Sequence, residues 1–287
     1  MTLKMAIPNK GRLSERSVEL LSKAGLDIGE DWGRKLYVNV KGRDIEIMLV
    51  RAQDIPEFVH SGAIDFGITG LDQVEESGYA LENMLNLEFG HCRLSLAVPD
   101  GSSVRSGKDL PDGSHIATSF PKITKRFFDS IGKEVDVIVI SGAAEIMPYL
   151  GVADCIVDLV STGSTLKMNR LREAEVLFRS QAAIVTSSKA LGEKREAMLE
   201  VTEAIHSVIA AENRKYLMAN VPRSMISEVE KFLPGIGGPT VLEIAGNGEI
   251  VAVQAVVCYS QLYDAINNLR KIGATGILTL SMERLVE

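Results

Sequence analysis

Along roughly the first 180 residues, short continuous apolar runs alternate with segments whose apolar residues recur every three to four positions. Runs of the first kind predict strands buried on both faces, and the second kind predicts amphipathic helices, so together they predict α/β layers. LKMAIP (3–8) is a short buried strand. SERSVELLSKAG (14–25) places Val18, Leu20 and Leu21 at helical spacing and stops at Gly25, a residue suited to a left-handed helix cap. KLYVNV and IEIMLV predict a hairpin turning at Lys41-Gly42. AQDIPEFVHSG (52–62) predicts a helix entered through Pro56, and AIDFGITG (63–70) a strand opening into a glycine-bracketed loop.

The plan then repeats. SHIATSFPKITKRFFDSIG (114–132) is a strand followed by a helix, and EVDVIVISGAAEIMPYLGVADCIVDLVSTG (134–163) echoes EIMLVRAQDIPEFVHSGAIDFGITGLDQV (46–74). In each, a strand leads into a predicted helix containing Ile-Pro or Ile-Met-Pro. A glycine (Gly62 or Gly151) follows, then Asp65 or Asp154 three residues on, then Ile68 or Val157 after three more. Two similar lobes imply a cleft, and ligands favour such clefts at the carboxyl ends of strands. Residues 88–98 read as a crossover strand between lobes, 175–188 as the return strand, and 194–212 as a long amphipathic helix. Lobe I is then 1–90 with 181–211, and lobe II is 91–180.

From about residue 213 the order changes to strand (215–221), helix (222–233), hairpin (240–257), helix (259–273) and strand (274–280). Pro222 fits a first helical turn, and Asn247-Gly248 is a strong hairpin signal. This βαββαβ order predicts a ferredoxin-like domain of the ACT or PII kind over 213–287.

Composition narrows the function classes. Hydrophobic residues are 46% and charged residues 24%, ordinary for a globular chain able to bury a core. Only 5% are aromatic and the net charge is −7, which argues against a nucleic-acid surface. Three widely spaced cysteines (Cys92, Cys155, Cys258) predict a reducing compartment without disulfides, and the four histidines lack metal-ligand spacing. With no signal-peptide pattern and no apolar run near 18 residues, the expectation is a cytoplasmic protein with no membrane partner.

The candidate chemistry lies in DLVSTGSTL (158–166), an acid ending an apolar run before a Ser/Thr/Gly loop. Asp158 can accept two ribose hydroxyls, and the amides of Ser161, Thr162, Gly163, Ser164 and Thr165 can form an anion nest. A helix starting in LKMNRLREAE would add its amino-terminal dipole. A plain strand-to-helix turn with a capping hydroxyl is the other reading of the same residues.

The longer run EIMPYLGVADCIVDLVSTGSTL (145–166) resembles the signature of the ATP phosphoribosyltransferases, which open histidine biosynthesis. Glu145, Gly151, Ala153, Ile156, Asp158, Leu159, Thr162, Gly163, Thr165 and Leu166 fill its places. The resemblance extends to IPNKGRL, VRAQDIPEFV, DFGITGLD and the βαββαβ tail, and so covers nearly the whole chain. It implies lobes of type II periplasmic-binding-protein topology, and a long form whose tail answers to histidine and which forms dimers and hexamers. The short form lacks that tail and depends on a partner protein. The implied reaction is attack by N1 of ATP on C1′ of phosphoribosyl pyrophosphate (PRPP), with Mg²⁺ as cofactor, histidine as inhibitor and AMP as a further ligand.

By matching positions, the resemblance implies PRPP contacts at Asp154, Asp158 and 161–165, and ATP contacts at Lys10, Gly11, Arg12, Arg16, Arg51 and Asp72. Glu145, Asp158 and Arg51 would serve catalysis, with Glu145 and Asp158 near the metal. Asn220, Gly238, Thr240, Gly273 and Ala274 would bind histidine, although Asn220 stands where an acid is expected in some relatives.

Bland readings stand beside these. Arg12 and Arg16, or Lys122, Lys125 and Arg126, can be solvated helix faces. Arg51 can pair with Asp54, and Asp72 can cap a helix with Glu75 completing a capping box. Asp65 and Asp154 can simply close the loops of their lobes, and Cys155 can be a core residue. The rival function is a two-lobed solute-binding or sensor protein. A phosphoribosyltransferase for a free base would usually carry a second acid where this chain has Leu159.

Overall fold

A computed structural model describes residues 2–29 and 35–286. The chain divides into two compact units, Met1–Glu19 with Asp27–Thr202, and Leu20–Leu26 with Glu203–Glu287.

The first unit opens with β1 (Leu3–Pro8), α1 (Ser14–Lys23, which belongs to the second unit from Leu20 on), β2 (Tyr37–Asn39), β3 (Ile45–Val50), α2 (Ile55–His60), β4 (Phe66–Gly70), α3 (Leu71–Ser77) and β5 (Glu82–Asn86). It continues through β6 (Cys92–Pro99), β7 (Ser114–Thr118), α4 (Pro121–Ser130), β8 (Val135–Val139), β9 (Cys155–Val160) and α5 (Ser164–Met168). The closing elements are β10 (Leu171–Ser180), β11 (Ala182–Thr186) and the long α6 (Ser188–Glu212), which runs on into the second unit.

These strands form two sheets, ordered β2-β3-β1-β4-β11-β5 in lobe I and β10-β6-β9-β7-β8 in lobe II. The predicted parallel cores are there: β1 pairs in parallel with β3 and β4, and β7 with β8 and β9. All five residues of β4 and of β11 are buried, which explains their unbroken apolar runs at the centre of the sheet. Gly67 lets α2 press onto β4, because an added Cβ would stand 2.9 Å from Ile55 Cγ2 and 3.0 Å from the Ala6 carbonyl. In lobe II, Leu94, Leu96, Ile116, Phe128, Cys155 and Val157 pack one face of the sheet. Cys155 is a core residue there, its thiol pushed up to about 12 by burial.

The chain crosses between the sheets between β5 and β6, and again at Gln181 between β10 and β11. The repeat has an atomic counterpart. Asp65 Oδ2 accepts the Lys4 amide at 2.8 Å and Asp154 Oδ2 accepts the His115 amide at 2.8 Å, each from the second residue of its lobe's first parallel strand.

The second unit holds β12 (Arg214–Pro222), α7 (Ile226–Phe232), β13 (Thr240–Ile244), β14 (Asn247–Cys258), α8 (Leu262–Lys271) and β15 (Thr275–Ser281). Its antiparallel sheet runs β13-β14-β12-β15, the ferredoxin-like order that the sequence predicts. Leu217, Val221, Val229, Val253, Ala265 and Leu269 form its core.

Several local expectations are corrected. The predicted helix around Ile146-Met147-Pro148 is only a 3₁₀ turn at Ala144–Ile146, since proline has no amide to donate and its ring crowds the preceding turn. The helix expected in LKMNRLREAE stops at Met168. Arg170 takes a φ of 53° and Leu171–Ser180 becomes a strand paired with β6. The tail hairpin turns at Ala245-Gly246, not at Asn247-Gly248, because Gly246 (φ 76°) supplies the left-handed turn residue. Pro222 ends β12 and does not start α7, and α6 departs from helical backbone at Lys194 (φ −128°, ψ 24°).

Candidate active site

In both lobes the parallel strands end on one edge, and the loops leaving them carry the candidate side chains. Pro8 and Val50 are register partners, so Lys10–Arg12 and Arg51 leave neighbouring strand ends in lobe I. In lobe II, Asp158 sits in β9 beside Ser95 of β6, and residues 161–163 leave the end of β9. Arg12 bridges the two edges by donating from Nη1 to Ser161 Oγ.

A cavity of about 320 Å³ opens here, lined by Arg12, Glu145, Asp158–Val160 and the whole stretch Ser161–Leu166. Gly163 takes a φ of 78°, a conformation only glycine adopts without strain, and it curls the loop so that Lys167 N–H reaches the Gly163 carbonyl at 3.2 Å. Thr162 Oγ1 and Ser164 Oγ lie 3.1 Å apart. Among the described residues, the Thr162 and Gly163 amides meet no protein acceptor. The loop thus offers main-chain donors and hydroxyls, with Arg12 as the cation across from it. Helix α5 has only five residues, so the dipole expected from a longer helix contributes little.

Asp158 is the acid of the cavity. Its Oδ1 accepts the Leu159 amide at 2.8 Å. Burial pushes its carboxyl above the ordinary aspartate range; the Leu159 bond draws it down, and the Glu145 carboxylate raises it again. Two carboxylates that feel each other across a cavity suit either a cation or a developing positive charge on a sugar.

Of the other candidates, Lys10, Gly11 and Arg51 are exposed at the lobe I edge without lining the cavity. Arg16 pairs with Glu19 at 2.6 Å and stands 6.0 Å from the centroid of the Phe89 ring. Asp72 is 5% exposed, accepting Ser180 Oγ–H at 2.5 Å and Gln73 Nε2–H at 2.7 Å. It ties β10 of lobe II to α3 of lobe I, and Gly70 occupies the cap position, so the capping box with Glu75 does not form. Asp154 stands at the opposite end of β9 from the loop, about 13 Å from Asp158 at strand spacing. It closes its lobe by binding the His115 amide, and it does not reach the cavity.

In the tail, Asn220 pairs with Thr275 across β12 and β15, and an added Cβ on Gly276 would come 3.2 Å from Asn220 Nδ2. The Gly273-Ala274 turn (Gly273 φ 82°) leads into that strand. Thr240 lies opposite Gln254 and Gly238 precedes β13.

Three features escape sequence reasoning. Arg93 holds the Ser161 carbonyl at 3.1 Å. Glu76 of lobe I accepts the Lys122 and Ile123 amides at 2.9 and 3.0 Å, capping α4 of lobe II. Lys122 Nζ donates to the Ser77 carbonyl at 2.7 Å and Arg126 pairs with Glu75, so these two join the lobes, whereas Lys125 is exposed.

A family model described as ATP phosphoribosyltransferase matches residues 51–207, and one described as the HisG C-terminal domain matches 211–284. The ATP phosphoribosyltransferase of Gemmatimonas aurantiaca is 47% identical over 99% of both chains. The chain belongs to the ATP phosphoribosyltransferase family. The Haloarcula marismortui ATP phosphoribosyltransferase is 44% identical over 99% of this chain and 100% of its own. A chain of the Thermotoga maritima ATP phosphoribosyl transferase (HisG:HisZ) complex superposes with a TM-score of 0.65 at 31% identity, covering 73% of this chain and 99% of that one. A structure described as an L-cystine ABC transporter from Listeria monocytogenes shares the two-lobed fold alone, with a TM-score of 0.51 at 15% identity over 73% of this chain and 91% of that one. Among the described residues of this ATP phosphoribosyltransferase family member, no helix is long and apolar enough to cross a membrane.

Proposed function

We propose that the cavity bounded by Asp158 and Ser161–Thr165 holds PRPP, and that N1 of an ATP molecule held from the Arg12 side attacks C1′ with loss of pyrophosphate. The observation that carries this is one wall made of a half-buried acid and an anion-receiving loop, faced by an arginine from the other lobe. Asp158, with Glu145 behind it, accepts the ribose hydroxyls and stabilises positive charge growing at C1′. The 161–165 amides and hydroxyls hold the 5′-phosphate, and Lys10, Gly11, Arg12, Arg16 and Arg51 gather the polyphosphates. Asp72 is a brace between lobes in this scheme.

The donor set fits Mg²⁺ in a limited way. Among the described residues no group of three or more His, Cys, Asp or Glu forms a metal cluster, but Glu145 and Asp158 share the cavity. That suits an ion held by one or two carboxylates and completed by substrate phosphates. When bound, it would neutralise charge building on the departing pyrophosphate.

The tail reads as the histidine-responsive part, with histidine held near Asn220, Gly238, Thr240, Gly273 and Ala274. Leu278 and Leu280 on β15 are 58% and 53% exposed, and Leu242 on β13 is 43% exposed, apolar surface suited to another copy in a dimer or hexamer. Histidine acts by binding the two assembly states unequally.

The test is purified full-length protein with ATP, PRPP, Mg²⁺ and a pyrophosphatase, following the ultraviolet signal of phosphoribosyl-ATP with and without histidine. Product that falls when histidine is added, and no longer falls in Asn220→Leu, supports both parts. Absence of product would sink the catalytic reading, and product indifferent to histidine would sink the tail's role.

A further inference from the structure

We propose that Arg93 is a positioning residue that sets which way the Ser161–Thr162 peptide faces, and thereby makes the phosphate loop a donor surface. The inference rests on the reading of that loop as the PRPP phosphate site.

Arg93 lies in β6 directly opposite Val160, the last strand residue before the loop. Among the described residues its guanidinium makes two bonds, Nη1–H to the Ser161 carbonyl at 3.1 Å and Nε–H to Glu173 Oε2 at 2.7 Å. It does not line the cavity, whereas Ser161 and Thr162 do. The Ser161 carbonyl is therefore drawn toward Arg93 and off the cavity. A trans peptide points its C=O and its N–H in opposite directions, so the Thr162 N–H is turned away from Arg93. That amide and the next one, of Gly163, meet no protein acceptor among the described residues, so they are available to an anion.

This orientation matters because Ser161–Thr165 carries no charged side chain. Whether the loop attracts or repels a phosphate depends on which ends of its peptide dipoles face the cavity. Ser161 is exposed, so nothing in its packing opposes a flip that would swap the N–H for a carbonyl oxygen. Arg12 does not remove that freedom, because it holds the Ser161 side chain and not the main chain. Glu173 neutralises Arg93 and aims it, with the two side chains 28% and 29% exposed. Arginine suits the task because its planar fork reaches a carboxylate and a carbonyl together, which a single ammonium on a flexible stem does less well.

The test uses full-length Arg93→Met, Arg93→Lys and Glu173→Gln. It reads KM for ATP and PRPP separately in steady-state assays, and PRPP affinity by calorimetry in the presence of Mg²⁺. The expected result is a rise of about tenfold or more in KM and Kd for PRPP in R93M, about 1.4 kcal/mol, with KM for ATP within about twofold. R93K recovers part of the loss, and E173Q shows a smaller loss of the same kind. Unchanged PRPP affinity in R93M, or an equal rise for both substrates accompanied by a lower melting temperature, would overturn the proposal. If R93M does not fold, R93K and E173Q decide the matter by the same PRPP-to-ATP contrast. Wild-type protein that binds no PRPP would instead remove the parent reading, and this one with it.

Discussion

Asp65 and Asp154 occupy equivalent places in the two lobes, each carboxylate receiving at 2.8 Å the amide of the second residue in its lobe's first parallel strand. Their surroundings differ. Asp65 is 13% exposed and also receives Lys194 Nζ at 2.8 Å, whereas Asp154 is 62% exposed and has the His115 ring 3.6 Å away. Asp65→Ala leaves a largely buried ammonium with only the Thr2 carbonyl and no counter-charge and should cost about 2 kcal/mol, while Asp154→Ala should cost about 1 kcal/mol or less. Urea unfolding of both variants measures the contrast. KM for PRPP should be unchanged in the Asp154 variant; a rise would return that residue to the substrate site.

Asp158 gives a prediction with a defined sign. Its carboxyl titrates above the ordinary aspartate range in the folded protein, first because of burial, so the native state binds its proton more tightly than the unfolded chain does. Stability contributed by this group therefore falls as pH rises from about 4 through the raised value, and the ionised form is a standing cost at neutral pH. Asp158→Asn should melt at a higher temperature than the parent at pH 7, with the gain shrinking as both are taken below about pH 4. Turnover should drop about 100-fold or more if, as proposed, that charge faces C1′ of the sugar. A variant that loses turnover and also melts lower at pH 7 would contradict the cost assigned to the ionised acid.

Glu76 supplies from lobe I the cap that the residues just before α4 do not, since Phe120 stands at the cap position. Glu76→Ala leaves two first-turn amides without that acceptor and should cost about 1 kcal/mol, the range found for a lost helix cap. Glu76→Gln retains one acceptor oxygen and should cost about half as much. Chemical denaturation resolves the two. Equal stability of all three proteins would show that solvent serves those amides as well as the carboxylate does.

Much of the fold was legible because its central strands are buried on both faces and so carry unbroken apolar runs, as in β4 and β11. Edge and exposed elements were less so. ENMLN in β5 has no clear alternation, and it pairs only with a strand far along the chain. LREAE reads as helix by intrinsic preference, yet pairing with β6 makes it a strand whose Glu173 and Glu175 bind Arg93 and the Gly107 amide. The acid and the loop of the site were legible as a local cluster, 158–166. Arg93, Glu76 and Lys194 were not, since each acts on partners 46 to 192 positions away and no local pattern marks such a meeting.

The double crossing between lobes bears on how the chain emerges from the ribosome. Strand β11 sits inside the lobe I sheet, between β4 and β5, but it is the last strand of that unit to be made. Until it emerges, β5 has no neighbour and β4 has an open side, while the strands of lobe II arrive as one uninterrupted segment. The lobe begun second can therefore finish first, and the lobe begun first waits as an unsealed sheet for residues 182–186. A ribosome stalled before that point holds a nascent protein whose Ser161–Thr165 loop is in place and whose facing lobe is still unfinished.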